Sequence, residues 1–244
     1  MAGALAIVLA RAGSRGLPGK NALPVAGRPC AQWTLEAALA ARRVERVVLS
    51  TDDEGLLRLG ASLGAEVVRR PAALAGDSTR IDDAARHALE TVAPDAPADL
   101  PIVLLYANVP VRPDDLIDRA VDLLVRTGCD SVQSYAPVGK HHPWWTARLG
   151  PDGRVGPWEG SVLNHGVFRR QDLPPAYVPD GGVIALTARA LRLEIAGAGD
   201  GPHAFLGVDR RGVVTGEGEV IDIDGEIDRR VAEAVLLARR EAGT

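Results

Sequence analysis

The stretch Ala4-Leu5-Ala6-Ile7-Val8-Leu9-Ala10, running directly into Arg11-Ala12-Gly13-Ser14-Arg15-Gly16-Leu17-Pro18-Gly19-Lys20-Asn21, decides the fold. A short apolar run followed at once by turn formers reads as a strand buried on both faces, the kind found inside parallel sheets. The loop it feeds carries three glycines, two arginines and a lysine. Glycine lets backbone N–H groups come close to a phosphate, and the cations neutralise it. The chain therefore opens with a triphosphate cradle.

This loop is not one of the familiar cradles. A Walker A loop needs glycine, four residues, then Gly-Lys-Ser/Thr. Here Asn21 follows Gly19-Lys20 and Ser14 stands five before Gly19, so the magnesium-binding hydroxyl is missing. A G-x-G-x-x-G fingerprint fails as well, because Gly13, Gly16 and Gly19 recur at every third residue.

Outward from the loop, apolar spacing predicts helices over 30–43, 54–63, 81–92, 114–126, 189–193 and 226–240. Strands are predicted at 44–50, 65–68, 102–106, 130–135, 182–186 and 220–223. This alternation implies an α/β fold with a doubly wound, mostly parallel sheet whose ligands sit at the carboxyl ends of the strands. The region 137–179 breaks the rhythm, is rich in Pro, Gly and Trp, and reads as an insertion within a single domain spanning 1–244.

Composition narrows the partners. A net charge of -4 argues against nucleic acid or an anionic membrane as the main partner. No apolar run approaches a membrane span, and the apolar opening lacks the basic n-region of a signal peptide. Cys30 and Cys129 are isolated, with neither metal-ligand spacing nor a disulfide framework, which fits a reduced cytoplasmic compartment. Lys20 and Lys140 are the only lysines beside 26 arginines, so a lysine kept in the phosphate loop suggests a need for its compact ammonium group.

A second motif, Ile221-Asp222-Ile223-Asp224-Gly225-Glu226-Ile227-Asp228, lies near the C-terminus. On a strand, Asp222 and Asp224 point to one face and the isoleucines to the other. Two carboxylates so placed suit a hard divalent cation such as Mg²⁺, which takes oxygen ligands and keeps waters and substrate phosphates. Helix capping by Asp224 and complementing of the helix dipole by Glu226 and Asp228 is the alternative; it leaves Asp222 without a reason.

Together these stretches resemble the CMP-sialic acid synthetase (acylneuraminate cytidylyltransferase) family. Its opening loop is close to L-A-R-x-G-S-K-G-L-P-G-K-N, matched from Leu9 to Asn21 with Arg15 in the lysine position. Asp222 to Asp228 is similar to the family's D-I-D-x-E-x-D, whose members bind magnesium there. The patch Arg69 to Thr79, then Asp82 and His87, resembles R-P-x-x-L-A-x-D-x-x-x-x-x-D, which implies a nucleotide-site role for Arg70 and for a hydroxyl, Ser78 or Thr79. Read alone, Asp77-Ser78 is a good helix cap, while Asp82 and His87 suit a helix surface. At 104–112, Pro110 and Arg112 match L-L-Q-P-T-S-P-L-R, but Tyr106 replaces the sugar-site glutamine and Ala107 the proline. His141-His142-Pro143 and Arg169 to Tyr177 echo family segments around a dimerisation element, with Trp145 where some members carry a sugar-binding lysine.

The resemblance implies a nucleotidyltransferase-like fold with the insertion as dimerisation element, CTP and a sugar acid as substrates, Mg²⁺ as cofactor, and a homodimer. Arg11 and Lys20 would hold the β- and γ-phosphates, with Asp222 and Asp224 on the metal. Ala10, Gly13, Ser14 and Asn21 would complete the nucleotide site, and Tyr106, Gln171 and Tyr177 are the candidates for the sugar side. The acceptor could instead be 3-deoxy-manno-octulosonate or a phosphonate. A glycosyltransferase D-x-D, or a nucleotide-sensing relative without activity, remains open.

Overall fold

The computed structural model describes residues 3–13 and 16–243. In chain order, β1 (Ala4–Ala10) leads through the phosphate-type loop to a short hairpin, β2 (Pro24–Val25) and β3 (Arg28–Pro29), and then α1 (Cys30–Ala40). There follow β4 (Val44–Thr51), α2 (Glu54–Ser62), β5 (Glu66–Arg69), α3 (Ile81–Val92), β6 (Pro101–Tyr106), α4 (Leu116–Thr127) and β7 (Ser131–Pro137). An irregular segment holds a small hairpin, β8 (Ala147–Leu149) and β9 (Val155–Pro157). The chain closes with β10 (Tyr177–Thr187), α5 (Ala188–Leu191), β11 (Arg210–Val214) and α6 (Glu226–Glu241).

One sheet of seven strands runs in the order β11-β7-β10-β6-β1-β4-β5. β1 pairs parallel with both β4 and β6, and β10 runs antiparallel between β6 and β7. Every residue of β1 is buried, as a strand sandwiched between helical layers must be. Its alternate residues serve two cores. Ala4, Ala6, Val8 and Ala10 pack in the layer with Ala31, Leu35 and Leu116, and Leu5, Ile7 and Leu9 pack with Ala84, Ala88 and Phe205. Small side chains on the first face let α1 lie close to the sheet.

From β1 the chain proceeds to β4 and β5 on one side and later returns to place β6 on the other. The order therefore reverses at β1, and the crevice for a ligand opens beyond the carboxyl ends of β1 and β6. α6 packs across this end through Ala232 and Leu236 against Val25, Cys30, Val111 and Ile223.

Three expectations need correction, and one strand was not expected. Residues 220–223 do not form a strand: Ile221 makes one isolated bridge to Val111, because the segment crosses the loop after β6 and finds no free sheet edge. Even so, the alternation survives, with Ile223 buried and Asp222 and Asp224 exposed. Asp77-Ser78 does not cap α3, whose N-cap is Arg80. Asp82 is not on a helix surface; it is fully buried between Arg80 and Arg86. β11 was not expected, since Arg210-Arg211-Gly212-Val213-Val214 is a largely exposed edge strand without apolar alternation.

Candidate active site

The loop after β1 is fixed at both ends. Asp52, at the end of β4, accepts the Ala12 N–H at 2.7 Å, and Asn21 donates its amide to the Arg11 carbonyl at 2.9 Å. Ala10 is fully buried and offers only its main chain. Gly13 faces open space, and Ser14 lies outside the described residues. Asn21 is 5 % exposed and its Oδ1 has no partner among the described residues, a buried acceptor in need of a donor.

The cations are already engaged. Arg11 Nη1 contacts Asp77 at 2.7 Å and the Gly76 carbonyl at 3.2 Å. Behind it Arg70, 7 % exposed, donates to the Ser50 carbonyl at 2.9 Å, and burial holds its pKa below the ordinary arginine range. Arg11, Arg70 and Thr79 line a cavity of about 240 Å³; Ser78 is exposed and does not line it. Lys20 Nζ contacts Asp224 at 2.8 Å. Gly16 explains the closeness of these two segments: a β-carbon there would lie 2.5 Å from the Asp224 carbonyl oxygen.

Asp228 accepts the Asp224 and Gly225 N–H groups at 3.1 and 2.8 Å and so caps α6, leaving Asp224 free of that duty. Asp222 accepts a hydrogen bond from the Asn108 amide. Although Asp222 stays open to the crevice, burial first and the Asp224 charge second push its carboxyl up to about 6. The Asp224 charge opposes ionisation of Asp222, which marks a site of excess negative potential, and the donor set is oxygen. That fits a hard divalent ion. No cluster of three or more His, Cys, Asp or Glu is found among the described residues, so the remaining ligands of such an ion would be waters and phosphates.

Beside Asp222 a second cavity, about 430 Å³, is lined by Tyr106, Gln133, Ser134, Asp180 and Gly181. Tyr106 is pushed up to about 12, mainly by burial and then by Asp222, and so keeps its proton. Asp180 accepts from Ser134, from Thr215 at 2.6 Å and from the Gly182 N–H at 2.9 Å, which makes it a latch between strands. Gln171 and Tyr177 do not join Tyr106 in this cavity. Gln171 is exposed in a 3₁₀ turn, and Tyr177 lines a separate cavity with His142 and Pro174, because the 138–176 segment carries both away from the sheet end. His142 is a structural clip whose Nδ1 accepts the Trp144 N–H and whose Nε2 meets the Pro174 carbonyl. Trp145 donates its indole N–H to the Val167 carbonyl.

Two residues of the site escaped the sequence reading, Asn108 and Asp77. Asn108 could have been found as a polar residue just past a buried strand in a motif already singled out. Asp77 carried the competing signal of a helix cap.

A cationic glycine loop at a sheet switch point, facing two acids and a polar cavity, defines an α/β protein of the nucleotidyltransferase type. The family model "Cytidylyltransferase" matches residues 5–144, and the chain belongs to that family. It is similar to the N-acylneuraminate cytidylyltransferase of Streptococcus agalactiae serotype V, 31 % identical over 181 residues, covering 73 % of this chain and 42 % of that one. The chain thus spans less than half the length of that relative. With the CMP-N,N'-diacetyllegionaminic acid synthase of Legionella pneumophila it shares 29 % identity over 98 % of each chain. The structure of CMP:2-keto-3-deoxy-manno-octonic acid synthetase complexed with CTP superposes with a TM-score of 0.71 at 16 % identity, over 97 % of this chain and 99 % of that one, a likeness of fold. No helix among the described residues is long and apolar enough to cross a membrane.

Proposed function

We propose that the chain transfers CMP from CTP to the anomeric hydroxyl of a nonulosonic-type sugar acid. The acceptor oxygen attacks the α-phosphorus, the bond to the β-phosphate oxygen breaks, pyrophosphate leaves, and the hydroxyl proton passes to solvent. The observation that carries this reading is the meeting of Lys20 and Asp224 at the β1 switch point, next to a cavity of about 430 Å³. Arg11 and Lys20 hold the β- and γ-phosphates and neutralise the leaving pyrophosphate, catalysis by positioning and charge. Asn21 and Thr79 face the cytidine, while Tyr106 and Gln133 face the acceptor. Asp222 and Asp224 would hold Mg²⁺, which when bound would supply Lewis acidity toward the α-phosphate and lower the pKa of the acceptor hydroxyl.

A homodimer supports the acceptor side. Among the described residues the cavity beside Tyr106 is lined by no lysine or arginine, although its substrate is an acid. The 138–176 segment exposes Leu149, Trp158, Val162 and Phe168, an apolar surface suited to a second copy that would bring its own cations. The buried, unpaired Cys30 and Cys129 are in keeping with a cytoplasmic protein.

Pyrophosphate release with CTP, Mg²⁺ and a panel of acceptors tests the reading: N-acetylneuraminate, its deaminated analogue, legionaminate, pseudaminate and 3-deoxy-manno-octulosonate. Release with a nonulosonic acid, abolished by EDTA, is expected. Release with the octulosonate alone would move the substrate to that class, and silence across the panel would sink the proposal. Light scattering checks the assembly, for which a fully active monomer at micromolar concentration is the contrary result.

A further inference from the structure

We propose that Asn108 is a positioning residue that sets the carboxylate of Asp222 for the transfer step; this rests on the transferase reading above. The segment bearing Asp222 has no strand ladder to orient it. The Ile221 N–H meets the Val111 carbonyl at 3.2 Å, Ile223 is buried against α6 and Asp224 is held by Lys20 and Asp228; Asn108 is the side chain that grips Asp222 itself. The Asn108 carbonyl accepts the Ile223 N–H at 2.8 Å, and its side-chain amide donates to the Ile223 carbonyl at 3.1 Å and to Asp222 Oδ1. One asparagine thus spends both donors of its amide and its main-chain acceptor on two consecutive residues.

The other carboxylate oxygen is left for chemistry. Asp222 Oδ2 lies 3.8 Å, and Tyr106 Cδ2 3.7 Å, from the point a β-carbon at Gly181 would occupy, and all three residues line the acceptor cavity. With Oδ1 tied back, Oδ2 is presented to the crevice. Without the tie, a carboxylate on an unpaired segment, with Asp224 two residues on repelling it, is free to rotate toward solvent. The tether must be a donor. An aspartate in place of Asn108 has none when ionised, and an aliphatic side chain leaves Asp222 Oδ1 and the Ile223 carbonyl without it.

The test compares Asn108→Ala with Asn108→Ser, which keeps a short donor, by Mn²⁺ titration with CTP present and by steady-state kinetics. For Asn108→Ala, Mn²⁺ affinity should fall about tenfold and kcat about tenfold to a hundredfold, the scale of one hydrogen bond to a charged group. KM for CTP should stay within about twofold, since the phosphate cations are untouched, and Asn108→Ser should recover a good part of both losses. Wild-type Mn²⁺ affinity in a folded Asn108→Ala protein overturns the assignment, as does equal loss in the alanine and serine variants. Should Asn108→Ala fail to fold, Asn108→Leu, of similar size but without a donor, against wild type decides: a weaker Mn²⁺ site with unchanged KM for CTP supports the role, and no change removes it. If the wild-type protein turns over no acceptor, the transferase reading fails, and the Mn²⁺ titration still decides the role of Asn108.

Discussion

Replacing Lys20 by methionine separates a catalytic cation from a structural one. The Lys20 side chain is 17 % exposed and its partner Asp224 79 % exposed, so the pair between them is largely solvated and worth at most about 1 kcal/mol. A phosphate oxygen about 4 Å from the ammonium, at an effective dielectric of about 20, gains roughly 4 kcal/mol. Binding must first break the pair with Asp224, which leaves about 3 kcal/mol in favour of the phosphate. Lys20→Met should therefore lower kcat/KM by roughly 150-fold while the melting temperature moves by no more than about 4 °C for a chain of this size. Pyrophosphate release under steady-state conditions and a thermal melt measure the two quantities. A kcat/KM within threefold of wild type would refute the phosphate role. A melt lowered by 8 °C or more would show that the lysine holds the fold instead.

Other perturbations follow from the same geometry. Asp77→Asn weakens the competitor that Arg11 must leave, and both groups are about one-third exposed, so CTP should bind up to about fivefold more tightly by calorimetry; weaker binding would contradict the competition. Gly16→Ala puts a methyl group against the Asp224 carbonyl, so turnover should fall at least about tenfold while the far-ultraviolet dichroism is retained; normal turnover would mean that the loop and the acids need not approach. Burial pushes the Cys30 thiol up to about 12. A raised pKa favours the fold below the unfolded-chain value and loses that advantage as pH climbs to the folded one, so up to about 4 kcal/mol of stability should fade between about pH 9 and 12. Urea unfolding across that range should show a shallower decline in Cys30→Ala, and parallel curves would contradict the burial argument.

Much of the fold was legible because its central strands are unambiguous. The runs at 4–10, 44–51 and 102–106 are apolar and bounded by turn residues, and α3 begins and ends where its apolar spacing does. What could not be read was structure without its own pattern. β11 is an exposed edge with two arginines and a glycine, and the β2–β3 hairpin is two residues on each side, too short for any period. In the site, Arg11, Lys20, Asn21, Arg70, Thr79, Asp222 and Asp224 come together at one end of the sheet, each carried by a long local motif. The pairings of those residues could not be read because they arise from tertiary contact: Asp77 with Arg11, Asn108 with Asp222 and Asp52 with the loop. Gln171 lies in the irregular segment and Tyr177 at the first residue of β10 just after it, where no period says which way a side chain is carried.

The contact between Lys20 and Asp224 joins residues 204 positions apart. Closing so long a loop gains nothing until both ends exist, so it belongs to the last events of folding. During synthesis at about 5–20 residues per second, the cationic loop is made roughly 10 to 40 s before its acidic counterpart. In that interval a nascent chain presents Arg11 and Lys20 beside β1 with no carboxylate from α6's end to answer them. The site is therefore assembled in order, its cations first and its carboxylates only when the C-terminal segment docks.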